Sequence, residues 1–355
     1  MNLKINEQNL GRPLLTLAIP TFNRLNCLRL LIDSVIKQMP NEGVLGKTFE
    51  LLICNNASTD GTTEYLNSLA NTKGIRVIHH AINCGATDNI IHCFEAAAGN
   101  FVWVMGDDDV PLVGAITAIM ECLVREQPAL MYLPSQWIKG ELNEFAKKAI
   151  PSKNIKLADA MYMATQASVY FTFISAWIIN KDLYLRHPDA LIDRYRDTNL
   201  PQLEWYFSNL VNGDKFICAK DKWLIARAGN TGGYALFETF SVQYNRIVNE
   251  KLVGTPKLYR FFRNDMLWCF IPGLIRSSQE NALGCFSELD KKKTVVILKT
   301  AYGNDLFFLF IVIPMIKLKT PFTWCFWLAA RVLAKMWLYL WRKSSKPSSL
   351  LNKLM

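Results

Sequence analysis

Short apolar runs alternate with amphipathic stretches along the first third of the chain. The apolar runs are LLTLAI, FELLIC, IRVIHH and FVWVM. Between and after them, residues 25–38, 62–69, 89–98 and 113–126 carry apolar positions at helical spacing. This alternation predicts a parallel sheet wrapped by helices, an α/β fold. Ligands of such sheets bind beyond the carboxyl ends of the strands, so the residues after each run are candidates for a binding site.

A polar segment follows each of the four runs. These segments are residues 20–24, 55–61, 83–85 and 106–109. The last contains three consecutive aspartates, Asp107, Asp108 and Asp109. Because adjacent carboxylates repel each other, such a cluster at a strand end predicts a bound cation. Oxygen ligands without histidine suit Mg²⁺ or Mn²⁺, which would bridge to nucleotide phosphates. A solvated turn that caps the next helix is the structural alternative.

The later chain predicts further extended segments and then a helical region. Residues 169–180 and 216–228 have strand character, whereas the pattern is helical from residue 237 onward. We therefore predict a sheet domain of residues 1–233 with two halves, residues 12–127 and residues 128–233. Residues 234–355 are predicted to form a helical C-terminal region.

The basic charge of the chain is concentrated at its C-terminal end. The chain carries +10, and the residues after Asp305 include eight basic and no acidic ones. Residues 322–343 are apolar and rich in tryptophan except for a few basic positions, and on a helix Arg331, Lys335 and Arg342 share one face. This pattern is typical of a helix that lies in the membrane interface. A membrane-spanning helix and ordinary protein packing are the alternatives.

Cysteine usage indicates a reducing compartment. The nine cysteines are spread along the chain without a C-x-x-C pair, and the N-terminus has no apolar signal segment. We therefore expect a protein on the cytoplasmic side of a membrane, attached peripherally. The basic charge lies among tryptophans and apolar runs, which argues against a nucleic-acid partner. The sequence gives no indication of an oligomeric state.

The ordered motifs resemble those of a known enzyme family. The series Ile19-Pro20-Thr21-Phe22-Asn23-Arg24, the loop Asn55-Asn56-Ala57-Ser58-Thr59-Asp60-Gly61-Thr62, Asn83-x-Gly85 and the aspartate cluster resemble the family 2 glycosyltransferases of GT-A fold. The closest similarity is to bacterial O-antigen sugar transferases of the abequosyltransferase-like kind. The likeness covers roughly residues 12–125, with Asn55 and Gly106 at positions where the family often has aspartate.

The resemblance implies a metal-dependent, inverting transfer of a hexosyl or deoxyhexosyl group from a nucleotide diphosphate donor. It implies Asp108 as the first metal ligand, with Asp107 and Asp109 beside it, for Mn²⁺ or Mg²⁺. The expected nucleotide-sugar contacts are Pro20, Thr21, Asn23, Arg24, Asn55, Asn56, Asp60, Asn83, Gly85, Asp107, Arg227 and Asn230.

The resemblance implies that the half at 12–127 binds the nucleotide and that the half at 128–233 supplies the acceptor site. The family uses a carboxylate near a helix start as general base, and Glu204 resembles that location, with Asp197 as the alternative. Trp177, Trp205 and Tyr206 are candidates for stacking on sugar rings, but the pattern favours core packing over stacking for any one of them.

These features predict transfer to a saccharide acceptor, with a lipid-linked oligosaccharide of bacterial surface polysaccharide (O-antigen) synthesis as the expected substrate. Two other functions stay open at this point. A sugar nucleotidyltransferase also uses carboxylates and a metal, but it would want a glycine-rich loop after the first strand, and residues 20–24 contain no glycine. A non-catalytic, membrane-bound carbohydrate-binding protein is the other. The donor base, the sugar and the linkage are left open.

Overall fold

The computed structural model describes residues 11–38, 48–69, 71–140, 142, 144–228, 235–280, 291–318 and 322–344. These residues form two compact units. The first comprises the described parts of Met1–Ala158, Phe171–Asp197 and Pro201–Ala228, and the second those of Asp159–Tyr170, Thr198–Leu200 and Gly229–Met355. The boundary predicted at residue 233 lies outside the described residues. The structure also assigns the segment Asp159–Tyr170, which we predicted within the first domain, to the second unit.

The first unit is built on an eight-stranded sheet with the order β3-β2-β1-β4-β9-β6-β10-β8. The pairs β3-β2, β2-β1, β1-β4 and β6-β10 are parallel, and the other three are antiparallel. The predicted α/β class with a mostly parallel sheet is therefore confirmed. The strands of this sheet are β1 (Leu15–Thr21), β2 (Phe49–Asn55), β3 (Ile75–His79), β4 (Phe101–Val104), β6 (Leu130–Tyr132), β8 (Ile155–Ala158), β9 (Trp177–Asn180) and β10 (Phe216–Ala219).

A smaller sheet flanks the large one, in the order β5-β11-β7. Strand β11 pairs antiparallel with β5 and parallel with β7, and Ala226 lies opposite Trp137. Its strands are β5 (Val110–Pro111), β7 (Ser135–Ile138) and β11 (Leu224–Arg227). Because β11 pairs with β5, which directly follows the three aspartates, the end of β11 lies close to the aspartate cluster.

Helices cover the faces of the large sheet. Their apolar residues, such as Leu31 and Ile119, meet Leu17, Ile53 and Trp103 of the strands in one continuous buried cluster. Because the parallel strands are buried on both faces, β1 and β2 are mostly apolar rather than alternating, and the buried Thr16 and Glu50 bond to each other. The helices of this unit are α1 (Leu25–Gln38), α2 (Thr62–Leu69), α3 (Ala86–Ala96), α4 (Ala115–Glu126), α6 (Lys181–Leu185) and α7 (Gln202–Asn212).

The second unit is helical in its described residues. Three short π-helical stretches, Glu238–Gln243, Met266–Phe270 and Phe308–Val312, interrupt the α-helices. The helices are α5 (Ala160–Ala167), α8 (Tyr244–Leu252), α9 (Pro256–Asp265), α10 (Ile271–Gln279), α11 (Lys291–Tyr302), α12 (Ile313–Lys317) and α13 (Phe322–Ser344). Helix α13 coincides closely with the amphipathic segment predicted at 322–343. Within the described ranges, none of the helices combines the length and the apolar character needed to cross a bilayer.

Helix α13 has one face packed within its unit and one face exposed. Ala330 and Ala334 are buried, and Trp337 and Trp341 pack against Phe261, with ring centroids 5.1 and 5.6 Å apart. These two tryptophans of the predicted interface segment are therefore partly covered by packing within the helical unit. The exposed large apolar residues of the helix are Phe322, Trp324, Leu328, Val332, Leu333, Met336, Tyr339 and Leu340.

Candidate active site

The register of the parallel strands brings the polar segments to one edge of the sheet. Thr21 lies opposite Asn55, and Asn55 lies opposite His79. Strand β4 pairs with β1 up to Val104, so the aspartates that follow it emerge at the same edge. The predicted convergence of the segments after β1, β2, β3 and β4 is what the structure shows.

Asp107 and Asp108 converge on the guanidinium of Arg24. Its Nη1 lies 3.1 Å from Asp107 Oδ1 and 2.9 Å from Asp108 Oδ2. Thr21 Oγ1 donates a hydrogen bond of 2.7 Å to Asp107 Oδ2. Asp108 is the more exposed of the two carboxylates. The positively charged guanidinium of Arg24 therefore lies between the two carboxylates.

Asp109 is directed elsewhere. Its Oδ2 accepts a hydrogen bond from Ser175 Oγ, and its Oδ1 accepts one of 3.2 Å from the backbone N–H of Arg227. Asp109 is only 4% exposed and Asp107 5%. Burial, followed by the charge of Asp108, raises the pKa of Asp109 to about 8, and burial raises the pKa of Asp107 to about 6 against the opposing effect of Arg24. Strongly perturbed carboxyls at a strand end are typical of functional sites.

Glycine at position 106 permits this crowding. A Cβ built on Gly106 would lie 3.2 Å from Asp108 Oδ1 and 3.3 Å from Asp109 Oδ2. A side chain there, including the aspartate that related sequences often carry, would force the two carboxylates to move. The departure noted in the sequence therefore has a direct geometric effect on the cluster.

The carboxylates fit a hard divalent cation. Asp107 and Asp108 present oxygen atoms to one point, now filled by Arg24 Nη1, and oxygen donors are those that Mg²⁺ and Mn²⁺ prefer. The oxygens of Asp109 do not share this point, because they accept hydrogen bonds from Ser175 Oγ and Arg227 N. Of the three predicted metal ligands, the structure thus places two at a common point.

The loops after β1 and β2 are bonded to each other. Asn23 N donates to Ser58 Oγ at 2.9 Å, and Thr59 N donates to Asn23 Oδ1 at 2.7 Å. Asp60 Oδ2 accepts from Leu25 N at the start of α1. Asn23 has a φ of 51°. Such backbone strain persists where surrounding contacts over-determine a loop, as at ligand sites.

The amide side chains of the β2 loop have structural partners. Asn55 is fully buried, and its Nδ2 lies 2.9 Å from Thr63 Oγ1 and 3.0 Å from His79 Nδ1. The structure thus turns Asn55, predicted to meet the nucleotide, into the protein. Asn56 Nδ2 donates to Asn83 Oδ1 at 2.9 Å and to Gly85 O at 3.1 Å. Asn56, Asn83 and Gly85 therefore form one connected group.

Three other residues predicted to contact the nucleotide-sugar, Pro20, Arg227 and Asn230, lie in different parts of the chain. Pro20 lies within β1, next to the strand end. Arg227 ends β11, and its buried Nε has no hydrogen-bond partner among the described residues. A buried guanidinium nitrogen without a partner is costly unless a ligand fills the place. Asn230 lies outside the described residues.

Glu204 does not reach the site surface. It lies in the first turn of α7 with 0% exposure, and its Oε2 is 3.3 Å from Arg194 Nε. Ser208 Oγ donates to Glu204 Oε1 at 3.3 Å. A carboxylate enclosed in this way has no path to an acceptor hydroxyl, so the structure contradicts the sequence-based choice of Glu204 as general base. The reason is that α7 is buried on nearly all sides, which its sequence pattern did not reveal.

Asp197 has the accessibility that Glu204 lacks. It is exposed and lies in the segment before α7. The adjacent Arg196 pairs with Asp88 in the first turn of α3, with Nε 3.2 Å from Oδ1. Helix α3 begins directly after Gly85, so Asp197 lies on a segment fixed next to the ligand edge of the sheet.

The predicted acceptor-facing aromatic residues are core residues. Trp177, Trp205 and Tyr206 are all fully buried, and Trp205 stacks on Phe94 with ring centroids 3.9 Å apart. Burial leaves no ring face for a saccharide, so the structure supports the alternative of core packing for all three.

Sequence reasoning missed Ser175, Phe173 and Trp137. Ser175 Oγ accepts from Gly106 N at 2.9 Å and bonds Asp109. Two residues earlier, Phe173 packs against Trp137, with ring centroids 4.6 Å apart, and Trp137 is 41% exposed. Trp137 also lies opposite Ala226, the neighbour of Arg227. A tryptophan within the polar stretch 134–141 was the one signal that the sequence offered.

Comparisons with known proteins bear on this site. Residues 16–186 match the family described as "Glycosyl transferase family 2". The chain is 32% identical over 98 residues to abequosyltransferase RfbV of Salmonella typhimurium, covering 27% of this chain and 28% of that protein. It is 29% identical over 113 residues to the GalNAc(5)-diNAcBac-PP-undecaprenol beta-1,3-glucosyltransferase of Campylobacter jejuni, covering 31% and 34%. The similarity thus spans about a third or less of these relatives.

Solved structures share the fold. S. aureus TarS 1-349 superposes with a TM-score of 0.58 at 13% identity, covering 94% of this chain and 92% of that one. Its complex with UDP-GlcNAc gives 0.58 at 15% identity, covering 93% and 90%. Mannosyltransferase PcManGT from Pyrobaculum calidifontis, in complex with GDP-Man and Mn²⁺, gives 0.51 at 14% identity, covering 90% and 86%. Residues 16–186 of this chain thus form a glycosyl transferase family 2 domain, on a GT-A-like α/β fold.

Proposed function

We propose that the protein transfers a sugar from a nucleotide diphosphate donor to a hydroxyl of a lipid-linked saccharide, with inversion at the anomeric carbon. The observation that carries this proposal is the pair Asp107 and Asp108, which converge on one cationic point at the ligand edge of the sheet. The proposal agrees with the names of the curated relatives, which transfer abequose or act on an undecaprenol-linked saccharide.

The donor diphosphate is held by cations from two sides. Asp107 and Asp108 would hold Mn²⁺ or Mg²⁺, which when bound neutralises charge on the diphosphate leaving group. Arg24 lies at these carboxylates, and Arg227 presents a buried Nε without a partner among the described residues. A guanidinium matches phosphate oxygens in geometry and charge. The bonded group of Asn56, Asn83 and Gly85 shapes the neighbouring wall for the nucleoside.

Asp197 is the general base of the proposal. Its carboxylate accepts the proton of the acceptor hydroxyl as that oxygen attacks the anomeric carbon. The bond between the anomeric carbon and the diphosphate oxygen breaks on the opposite face, and the leaving group carries away the electron pair. One displacement of this kind inverts the anomeric configuration.

Trp137 and Phe173 form the acceptor platform. Their exposed edge lies next to Arg227 and Ser175, which both bond Asp109, so a sugar stacked there would be close to the donor. Aromatic rings provide large contact areas with little loss of conformational entropy.

The exposed face of α13 holds the protein at the membrane. Met336 is 58% and Leu340 62% exposed, and Arg331, Lys335 and Arg342 are exposed along one side of this apolar stripe. An apolar stripe beside basic residues suits the interface of an anionic bilayer. Together with a lipid-linked acceptor, this face supports our proposal that the protein acts at the cytoplasmic surface of the bacterial inner membrane, to which it is attached peripherally.

Thermal unfolding with nucleotides tests the donor site. We expect UDP, GDP, CDP or dTDP to raise the melting temperature selectively, and only with Mn²⁺ or Mg²⁺, because ligands of the native state stabilise it. Asp108→Asn should abolish the part of the rise in melting temperature that depends on the metal. Asp33→Asn, at an exposed position of α1, is the matched control and should behave as wild type. Absence of a response to every nucleotide in folded protein would refute the transferase proposal.

Vesicle flotation tests the membrane face. Met336→Glu with Leu340→Glu should reduce binding to anionic vesicles several-fold, because it places charge in the apolar stripe. Asn67→Glu adds charge to an exposed helix position of the first unit and should leave binding unchanged. Equal binding of all variants would contradict the role of α13.

A further inference from the structure

A cluster of soft ligands lies beside the nucleotide edge and has no part in the transfer reaction. One ring nitrogen of His80, one of His92 and the Sγ of Cys84 all lie within 4.8 Å of one another. His80 follows β3, Cys84 lies in the next loop, and His92 is on α3. The ring centroids of the two histidines are 4.8 Å apart, and Cys84 Sγ is 4.0 Å from His92 Nδ1. Three residues from three local elements thus meet at one point.

The surroundings orient the imidazole of His80. Asn89 Nδ2 donates to the carbonyl of Cys54 at 3.1 Å, which leaves Asn89 Oδ1 as the atom 3.1 Å from His80 Nε2. This amide oxygen makes Nε2 the protonated nitrogen, so the other ring nitrogen keeps its lone pair. A buried hydrogen-bond partner that fixes the tautomer is typical of histidines that ligate metals.

A metal bound at Cys84 would replace the proton of its thiol. The Cys84 Sγ–H donates to Asn56 Oδ1 at 3.1 Å, and the same oxygen accepts from the Cys84 N–H at 2.9 Å, so loss of the thiol proton would release Sγ from this oxygen toward the two histidines. Burial, with the nearby carboxylate of Asp88, raises the pKa of the Cys84 thiol, so a metal that binds there must displace a proton to solvent.

We propose that His80, Cys84 and His92 form a binding site for Zn²⁺, separate from the aspartate site. Two imidazole nitrogens and one thiolate are ligands that zinc prefers over the oxygen-seeking Mg²⁺ and Mn²⁺. Three protein ligands leave a fourth position for solvent, as in zinc sites that stay open. Tetrahedral ligand atoms around zinc lie about 3.4–3.6 Å apart, so the pair at 4.0 Å must close by about 0.4 Å and a pair at the 4.8 Å limit by about 1.4 Å.

Zinc at this point would brace the two loops of the nucleotide wall. Cys84 lies between Asn83 and Gly85, which bond to Asn56 of the β2 loop. Fixing Cys84 to β3 and α3 therefore restrains the position of Asn56. The site itself depends only on residues 80, 84 and 92, so its existence does not rest on the proposed transfer reaction.

Cobalt substitution tests the site in the full-length, reduced protein. Titration with Co²⁺ should give a thiolate-to-cobalt charge-transfer band that saturates with a single equivalent, and Zn²⁺ should remove it. Cobalt bound by the aspartates alone gives no such band. Cys84→Ser should eliminate the band, and His92→Gln should weaken cobalt binding by at least the roughly 10–100-fold that loss of an outer hydrogen-bond partner costs.

Matched variants separate this site from other thiols and imidazoles. Cys325→Ser removes an exposed thiol on α13, and His187→Gln removes a histidine outside the cluster. Both should keep the band and its affinity. Zinc should also raise the melting temperature of Asp108→Asn as much as that of wild type, which distinguishes failure of this proposal from failure of the transferase proposal. Absence of the band in wild type, or its persistence in Cys84→Ser, would overturn the zinc site.

Discussion

The buried carboxyl of Asp109 makes the stability of the protein depend on pH in a defined window. Its pKa is about 8 in the folded protein, raised by burial and by the charge of Asp108, against an ordinary value of 3.8. Between these two values the folded state holds a proton that the unfolded state has lost. The free energy of unfolding therefore falls as pH rises from about 4 to about 8. This sign is opposite to that of a salt-bridged aspartate, whose pKa is lowered.

The magnitude follows from the linkage relation. Each pH unit inside the window changes this contribution by about 1.4 kcal/mol. From about pH 5 to about pH 7.5 the Asp109 carboxyl thus lowers the free energy of unfolding by roughly 3 kcal/mol. Asp109→Asn removes the ionisation, and the amide can still accept from Arg227 N and donate to Ser175 Oγ. The stability of the variant relative to wild type should therefore rise by roughly 3 kcal/mol across this range.

Urea unfolding at several pH values, in the presence of a chelator, measures this difference. The chelator is needed because a divalent ion at the proposed site would bind the ionised carboxylates and offset the loss. Asp33→Asn, at an exposed position, should show the same change in the free energy of unfolding with pH as wild type. If Asp109→Asn also ran parallel to wild type, the carboxyl would be ionised throughout, and the argument from its burial would be refuted.

Four further predictions follow from the same structure. Affinity for Mn²⁺ with nucleotide should increase from about pH 6 to about pH 8 as Asp107 and Asp109 lose protons, and a flat calorimetric profile would argue against the metal site. Lys181→Met should cost about 3 kcal/mol in urea, because the buried Nζ donates to three backbone carbonyls at the end of α3; an unchanged midpoint would contradict this. Gly99→Ala should cost about 1–3 kcal/mol, since its Cβ would meet a backbone nitrogen at 2.6 Å, and wild-type stability would disprove the contact. Trp137→Ala should lower kcat/KM for the acceptor about tenfold with nucleotide binding unchanged, and equal loss of both would point to misfolding.

The sequence predicted the ligand edge well because one rule governs it. In a parallel sheet the carboxyl ends of neighbouring strands lie together, so Thr21, Asn56 and Asp107 could be placed near one another from the order of apolar runs alone. The same rule does not say which way an individual side chain points. Asn55 and Asn56 are adjacent, yet Asn55 turns into the protein, while Asn56 connects the loops.

The acceptor half was harder to predict for two physical reasons. The segment around Trp205 is apolar or aromatic on several faces, and a helix enclosed on all sides shows no stripe that would reveal the burial of Glu204. The contacts of Ser175 with Gly106 and Asp109 join residues far apart in the chain, and a lone serine gives no signal of such a partner. Only the folded arrangement identifies them.

Arg24 offsets part of the negative charge of the aspartate cluster. Two carboxylates within reach of one point repel each other strongly at low exposure, and Arg24 Nη1 is placed between them at 3.1 and 2.9 Å. A divalent ion and the guanidinium cannot occupy that point together. If the protein binds a metal with a nucleotide diphosphate, as we propose, Arg24 must leave the carboxylates, and the anion that arrives with the metal is the diphosphate. In that case the same arginine would neutralise the carboxylates before the donor binds and the phosphates afterwards.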